Sequence, residues 1–358
     1  MAGGSWKPRL TPIALFIVCL FTVAISRPAP AAGQGLFELP LLHGCAWPFI
    51  SDVNSLNAFY PDTNATYWVA PYVSLPGTAL SLEGTYPEAR FMSLNTYDRL
   101  GASISAIADE EIDPDQGSTN PFRDSSAKRA GPQQRFTVRI VPKTSPPPPL
   151  PSNSIVGAPL GPADFDFAAL GFAIYRVYVP NDPNKPDGSQ PLPSLTVVRD
   201  GEPIQTVEPC KETDSAVKLI MFVLLEQLAM EFAAGDLSPN QNNSDIPEAL
   251  FFLPFMAAEG AFPNVFNAYV SAVVKYQPGR IVVVRGQAPR FPDTRNGVPV
   301  TTPQDLRYWS LCNNNHAFPY PVVDCKADFQ TARDSQGFYT YIVATPEDIP
   351  RTLPPTRP

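Results

Sequence analysis

The sequence predicts a mainly β protein with a helical insert, built as two related β-sandwich, jelly-roll-like units from an internal duplication. Three observations lead there. Proline accounts for 44 of 358 residues, about 12% against roughly 5% in an average protein, and proline stops both helices and central strands. Short apolar runs with period-two alternation recur between Pro/Gly turns. One block of the chain also returns further on.

The repeat is read residue by residue. At an offset of 202, Tyr67, Pro76, Gly77, Gly84 and Pro87 match Tyr269, Pro278, Gly279, Gly286 and Pro289. After a 15-residue insertion, Arg90, Phe91, Ser93 and Leu94 match Arg307, Tyr308, Ser310 and Leu311. Later, Phe136-Thr137 in RFTVRIV matches Tyr339-Thr340 in FYTYIV.

From the N-terminus, Lys7 and Arg9 precede an apolar run at 10–25, followed by the small-residue stretch RPAPAAGQG. This is the layout of a secretory signal, with cleavage after Ala31 or after Ser26. The run has 16 residues, short of the roughly 20 that span a bilayer, and an uncleaved anchor is the second reading. Removing 1–31 takes away Lys7, Arg9 and Arg27, leaving 23 basic against 34 acidic side chains, a net −11. It also leaves four cysteines. In an exported chain they read as two disulfides, Cys45–Cys210 and Cys312–Cys325, with free buried thiols as the second reading and no C-x-x-C motif present.

The first unit spans 36–210. YWVAPYVSL and TALSLEG flank Pro76-Gly77, a hairpin with type II turn chemistry. Ala79, Ser81 and Glu83 alternate with Leu80 and Leu82, one face wet and one buried. RFMSLNTY, RFTVRIV, FAIYRVYVP and PSLTVV supply further strands, and 142–165 is a proline-rich loop. Residues 211–262 form a helical connector. The helix is read at 215–233, with Thr213 or Asp214 as N-cap and Gly235 as stop, and a second at 246–258. Glu226 and Lys218 mark the first helix as no membrane span. The second unit spans 263–347. Its strand RIVVVRG is apolar on both faces and so reads as central. Residues 348–358 are a proline-rich tail.

The R-[FY]-x-S-L strand, the P-G-x6-G stretch and DCKADFQTARDSQGFYTYIV resemble exported bacterial β-sandwich proteins catalogued only as domains of unknown function. The resemblance covers about half the chain. It implies fold and location and brings no activity or catalytic residue with it.

Chemistry is sparse. A formal charge of −8 excludes a nucleic-acid binder, which works by phosphate neutralisation. Two histidines, His43 and His316, exclude a histidine-rich metal site, and both read as loop residues. There is no G-x-S-x-G, H-E-x-x-H, Walker A or G-x-G-x-x-G motif. Asp109, Glu111, Asp113 and Asp115 in ADEEIDPDQ are oxygen ligands clustered on a turn, which Ca²⁺ would require, although the EF-hand register is missing and no other cofactor is implied. Asn64 and Asn242 begin N-glycosylation patterns.

The binding candidates are Tyr67, Trp68 and Arg90 in unit one, with Tyr269, Arg307 and Trp309 in unit two. Flat aromatics with arginine on a sheet can stack a sugar ring and hold an anionic group; the other reading of the same residues is core packing with an arginine stem laid across it. Arg90 and Arg307 are equivalent by the repeat and would face a groove between the units. The function expected is a secreted or envelope-associated binding or structural protein, more a binder than an enzyme, with a glycan or another envelope component as partner. The alternative is a secreted, carboxylate-dependent hydrolase acting on carbohydrate.

Overall fold

The structure is a computed structural model, and it describes residues 43–57, 60–124, 134–144, 149–161, 169–216, 250–251, 262–275, 277–315 and 320–349. The chain is mainly β. Two sheets pack face to face. One holds, in spatial order, β11 (Asp214–Ser215), β1 (Phe49–Ser51), β2 (Ala65–Val73), β8 (Leu170–Pro180), β4 (Ala89–Asp98) and β5 (Ser103–Ala108). The other holds β10 (Glu202–Val207), β9 (Ser194–Arg199), β3 (Thr78–Thr85), β6 (Arg135–Lys143) and β7 (Ser154–Pro159). Two two-stranded sheets follow: β12 (Val282–Gln287) with β15 (Phe338–Val343), and β13 (Ser310–Asn314) with β14 (Val322–Ala327).

Alternation sets the core. Leu80 and Leu82 of β3 and Phe136, Val138 and Ile140 of β6 meet Trp68, Met92, Leu94 and Tyr175 from the facing sheet, all nearly solvent-free. Fully burying one such side chain stabilises the fold by about 1.5–3 kcal/mol. Strand β8 is buried along its whole length between β2 and β4. Such a strand needs an apolar sequence on both faces, and LGFAIYRVYVP has one with a single charge, Arg176.

The Pro76-Gly77 turn forms, with the Thr78 amide donating to the Leu75 carbonyl at 3.2 Å and Gly77 at φ +70. It does not close a hairpin. β2 belongs to the six-stranded sheet and β3 to the five-stranded one, so the turn carries the chain across the sandwich. The same holds for β8 and β9. Local turn chemistry sets the reversal, while strand partners are chosen by the packing of distant segments.

The same two kinds of strand pair occur twice in one register. On β3–β6, Leu80 opposes Ile140 and Gly84 opposes Phe136; on β12–β15, Val282 opposes Val343 and Gly286 opposes Tyr339. On β4–β5, Ser93 opposes Ala108 and Asn95 opposes Ala106; on β13–β14, Ser310 opposes Ala327 and Cys312 opposes Cys325. Even the register shift recurs, after Thr96 and after Asn313. Both glycines oppose an aromatic ring: a Cβ on Gly84 would stand 3.0 Å from Phe136 Cζ, and one on Gly286 would meet the Tyr339 ring.

One strand reading is corrected. β12 is not central: it pairs only with β15 among the described residues, its side chains alternate between half-buried and exposed, and Val283 is 56% exposed. An apolar run on both faces fits an edge strand as readily when no second sheet covers it. The helix read at 215–233 lies almost wholly within 217–249, outside the described residues, as do most of 246–258 and the N-terminal signal. Its expected N-cap is strand instead, because Asp214 and Ser215 pair in parallel with Phe49 and Ile50.

Both disulfides form as paired in the sequence. Cys45–Cys210 joins residues 165 apart, and Cys312–Cys325 joins residues 13 apart across neighbouring strands. In the chain-entropy account the longer loop contributes about 5 kcal/mol and the shorter about 3. Urea unfolding of Cys45→Ala/Cys210→Ala should therefore show a larger stability loss than Cys312→Ala/Cys325→Ala. Equal losses would count against this account.

Candidate functional site

Arg90 and Arg307 take equivalent places, on the first residues of β4 and just before β13, and each reaches the acid of the other set of strand pairs. Arg90 is fully buried, and its Nη1 donates to both oxygens of Asp328 at 2.6 Å. Arg307 Nη1 lies 3.2 Å from Asp109 Oδ1 and donates to the Arg90 carbonyl at 3.1 Å, while Nη2 donates to Glu110 at 2.8 Å. The acids are equivalent too. Asp109 accepts from the Met92 amide at 2.8 Å, and Asp328 accepts from the Trp309 amide at 3.2 Å. Each acid opens a 3₁₀ turn, at Asp109–Glu111 and Asp328–Gln330. The third side chain of each turn reaches back to an amide, Glu111 to Ala108 and Gln330 to Ala327.

The groove expected between these arginines is a packed junction instead. Phe291, Phe329 and Tyr308 surround the Arg90 guanidinium at 5.3, 5.7 and 6.0 Å. Thr294 and Asp293 complete its surroundings. Phe122 lies 5.8 Å from that of Arg307. Trp309 packs on Tyr339 and Tyr341, and Trp68 faces the core against Tyr175.

Tyr67 and Tyr269 do come together. Both belong to a tyrosine face on the outer side of the six-stranded sheet, joined through Tyr178. The Tyr67 and Tyr178 hydroxyls share a hydrogen bond of 3.1 Å. Asn264 and Asn267 each donate to the Tyr178 hydroxyl at 3.2 Å, and Asn267 donates to that of Tyr269 at 3.1 Å. Phe91, Phe266 and Tyr308 extend the row, with ring separations of 5.7–6.3 Å along it. At its end Asp62 accepts from Tyr308 at 2.8 Å and from Ser310 at 2.6 Å, and Asn64 donates to Tyr308 at 3.4 Å. Tyr269 and Phe266 are 48% and 38% exposed. Burial, then Tyr178 and Tyr269, holds the Tyr67 hydroxyl well above its ordinary range, so it remains a neutral donor. The face offers flat rings, amides and hydroxyls.

The four acids proposed for Ca²⁺ are engaged separately. Asp109 is buried with Arg307, Glu111 holds the Ala108 amide, and Asp113 binds Arg123 at 2.8 Å and Ser152; for Asp115 the bonds shown are those of its backbone. The carboxylate and sulfur atoms of Asp62, Cys312 and Cys325 are mutually close, but both sulfurs are spent in the disulfide. His43 meets the edge of the Phe49 ring, and His316 lies outside the described residues.

Sequence reading gave Asp109 to a calcium site and passed over Asp328, the two acids that complete the junction. The signal was present: the dipeptide Ala-Asp recurs at Ala108-Asp109 and Ala327-Asp328, in step with the two arginines. It also missed Arg176 and the asparagines of 264–267, because a lone charge in an apolar strand has no motif around it.

No protein-family model matches the chain, and no curated protein does. Among solved structures, the crystal structure of an uncharacterised protein from Burkholderia cenocepacia gives a TM-score of 0.49 at 12% identity, over 86% of this chain and 73% of that one. Two disulfides fit an oxidising, extracytoplasmic environment. Among the described residues no helix is long and apolar enough to cross a membrane.

Breaking a buried ion pair by removing one partner costs about 3–5 kcal/mol. Asp328→Asn should destabilise within that range in urea melts, and a loss under about 1 kcal/mol would show that the pair is not a structural link. Burial raises the Asp109 carboxyl to about 7, against the pull of Arg307. Between about pH 4 and 7 the native state therefore keeps a proton that the unfolded chain has released, and stability falls as pH rises through that window. Asp109→Asn should flatten that part of the stability–pH curve. An unchanged slope would contradict the assignment.

Proposed function

We propose that this protein is a secreted or envelope-associated, non-enzymatic binding protein, made of two units related by internal duplication, whose tyrosine face takes a glycan. The observation that carries the binding reading is the row of Tyr67, Tyr178, Tyr269 and Phe266, part buried and part exposed, edged by the amides of Asn264 and Asn267. Aromatic faces stack on the apolar side of a sugar, while amides and hydroxyls meet its hydroxyl groups. The duplication is supported by the shared register of the two sets of strand pairs and by the reciprocal arginine–aspartate contacts. Secretion is supported by the basic, apolar and small-residue order of the first 31 residues together with the disulfides.

A binding role also suits the acids. Those in the Asp109 turn hold backbone amides or arginines, so a hydrolase that drew on them would have to dismantle the junction. In calorimetric titrations with neutral and acidic oligosaccharides, Tyr269→Ala and Asn267→Ala should weaken binding at least tenfold with little change in melting temperature. Unchanged affinity in both variants would place the ligand elsewhere.

A further inference from the structure

Two arginines are buried among the described residues, and they differ in one respect. Arg90 has a carboxylate at 2.6 Å. Arg176, 3% exposed, has none among the described residues. Its Nη1 donates to the Tyr97 hydroxyl at 2.7 Å and its Nη2 to the Phe262 carbonyl at 2.8 Å, both neutral acceptors. Its Nε has no hydrogen-bond partner among the described residues. It stands on β8 directly between Tyr67 on β2 and Ser93 on β4, with the Tyr67 and Tyr97 rings 5.0 and 5.4 Å from the guanidinium. A buried charge without a counter-charge is costly, and arginine stays protonated at any working pH. Aromatic rings and neutral oxygens soften that cost and do not cancel the charge.

The arginine lies beneath the tyrosine face: Tyr67, its cover, is also the partner of Tyr178. The other cover is the strap Phe262–Asn267. Hydrogen bonds to uncharged acceptors hold this strap, from Arg176 and Tyr97 to the Phe262 and Pro263 carbonyls and from Asn264 and Asn267 to Tyr178. Phe262 also bonds the Gly101 carbonyl through its amide. A planar carboxylate matches the Nε/Nη2 edge of a guanidinium with two parallel bonds. It would satisfy the free Nε and displace the Phe262 carbonyl from Nη2, lifting the strap at that point.

We propose that Arg176 is the anion-recognising residue of this face, and that the glycan it takes carries a carboxylate, as a uronic-acid saccharide does. The inference rests on the glycan reading above and narrows its ligand class.

The test is calorimetric titration of the full chain with an oligogalacturonate and with a neutral galactose oligomer of equal length. The acidic sugar should bind at least tenfold more tightly, with an advantage that shrinks as salt is added. Arg176→Lys, which keeps the charge and loses the fork, should bring the two affinities together. The ¹⁵Nε resonance of Arg176 in the unaltered protein should shift with galacturonate and stay in place with the neutral sugar, a readout that needs no variant to fold. Equal affinities in the unaltered protein, or an unmoved Nε resonance on acidic binding, would overturn the proposal and leave the glycan reading standing. Binding of neither sugar would overturn both.

Discussion

The structure depends on an exchange of arginine–aspartate contacts. Arg90 crosses to Asp328, Arg307 crosses to Asp109, and each acid also fixes an amide of its own set of strand pairs. The two contacts are not equal. Arg90 is sealed from solvent by Phe291, Phe329 and Tyr308, whereas Arg307 is 16% exposed and shared with the exposed Glu110. Most of the cost of breaking the junction therefore belongs to the Arg90 side.

The asymmetry of the two halves explains why such a junction is needed. In the first half, the inner faces of β3 and β6 are roofed by a six-stranded sheet and lose nearly all contact with water. In the second, the corresponding residues Val282, Val284, Tyr341 and Val343 are only half-buried, because β12–β15 and β13–β14 have no further strands beside them among the described residues. Two-stranded sheets are marginal alone. Their order comes from the cross-strand disulfide, the Trp309–Tyr339 packing and the contacts with the larger half.

Much of this was legible in the sequence, and the limits have physical causes. The disulfide pairs, the β character and the buried face of β3 follow from count, composition and alternation. The matches Gly84/Gly286 and Phe136/Tyr339 turn out to be directly opposed pairs, because a glycine beside a large ring satisfies a close approach that other residues cannot. Strand pairing was not legible: Pro76-Gly77 reverses the chain whether the next strand joins the same sheet or the opposite one. The central reading of β12 failed because apolar side chains on both faces report hydrophobicity and say nothing about whether a covering layer exists. At the site, the expected repeat brought Tyr67 and Tyr269 forward, and they share one face through Tyr178 and Asn267. It also brought Arg90 and Arg307 forward as groove residues, and their acids make them a packed junction.

Native-state hydrogen exchange in rising urea tests most directly whether the exchanged ion pairs bind the two halves into one cooperative body. The slowest amides of β4 and of β13 should converge on a single unfolding free energy in the unaltered protein and separate in Asp328→Asn, with β13 opening first. Separate free energies in the unaltered protein, or no separation in the variant, would contradict the account.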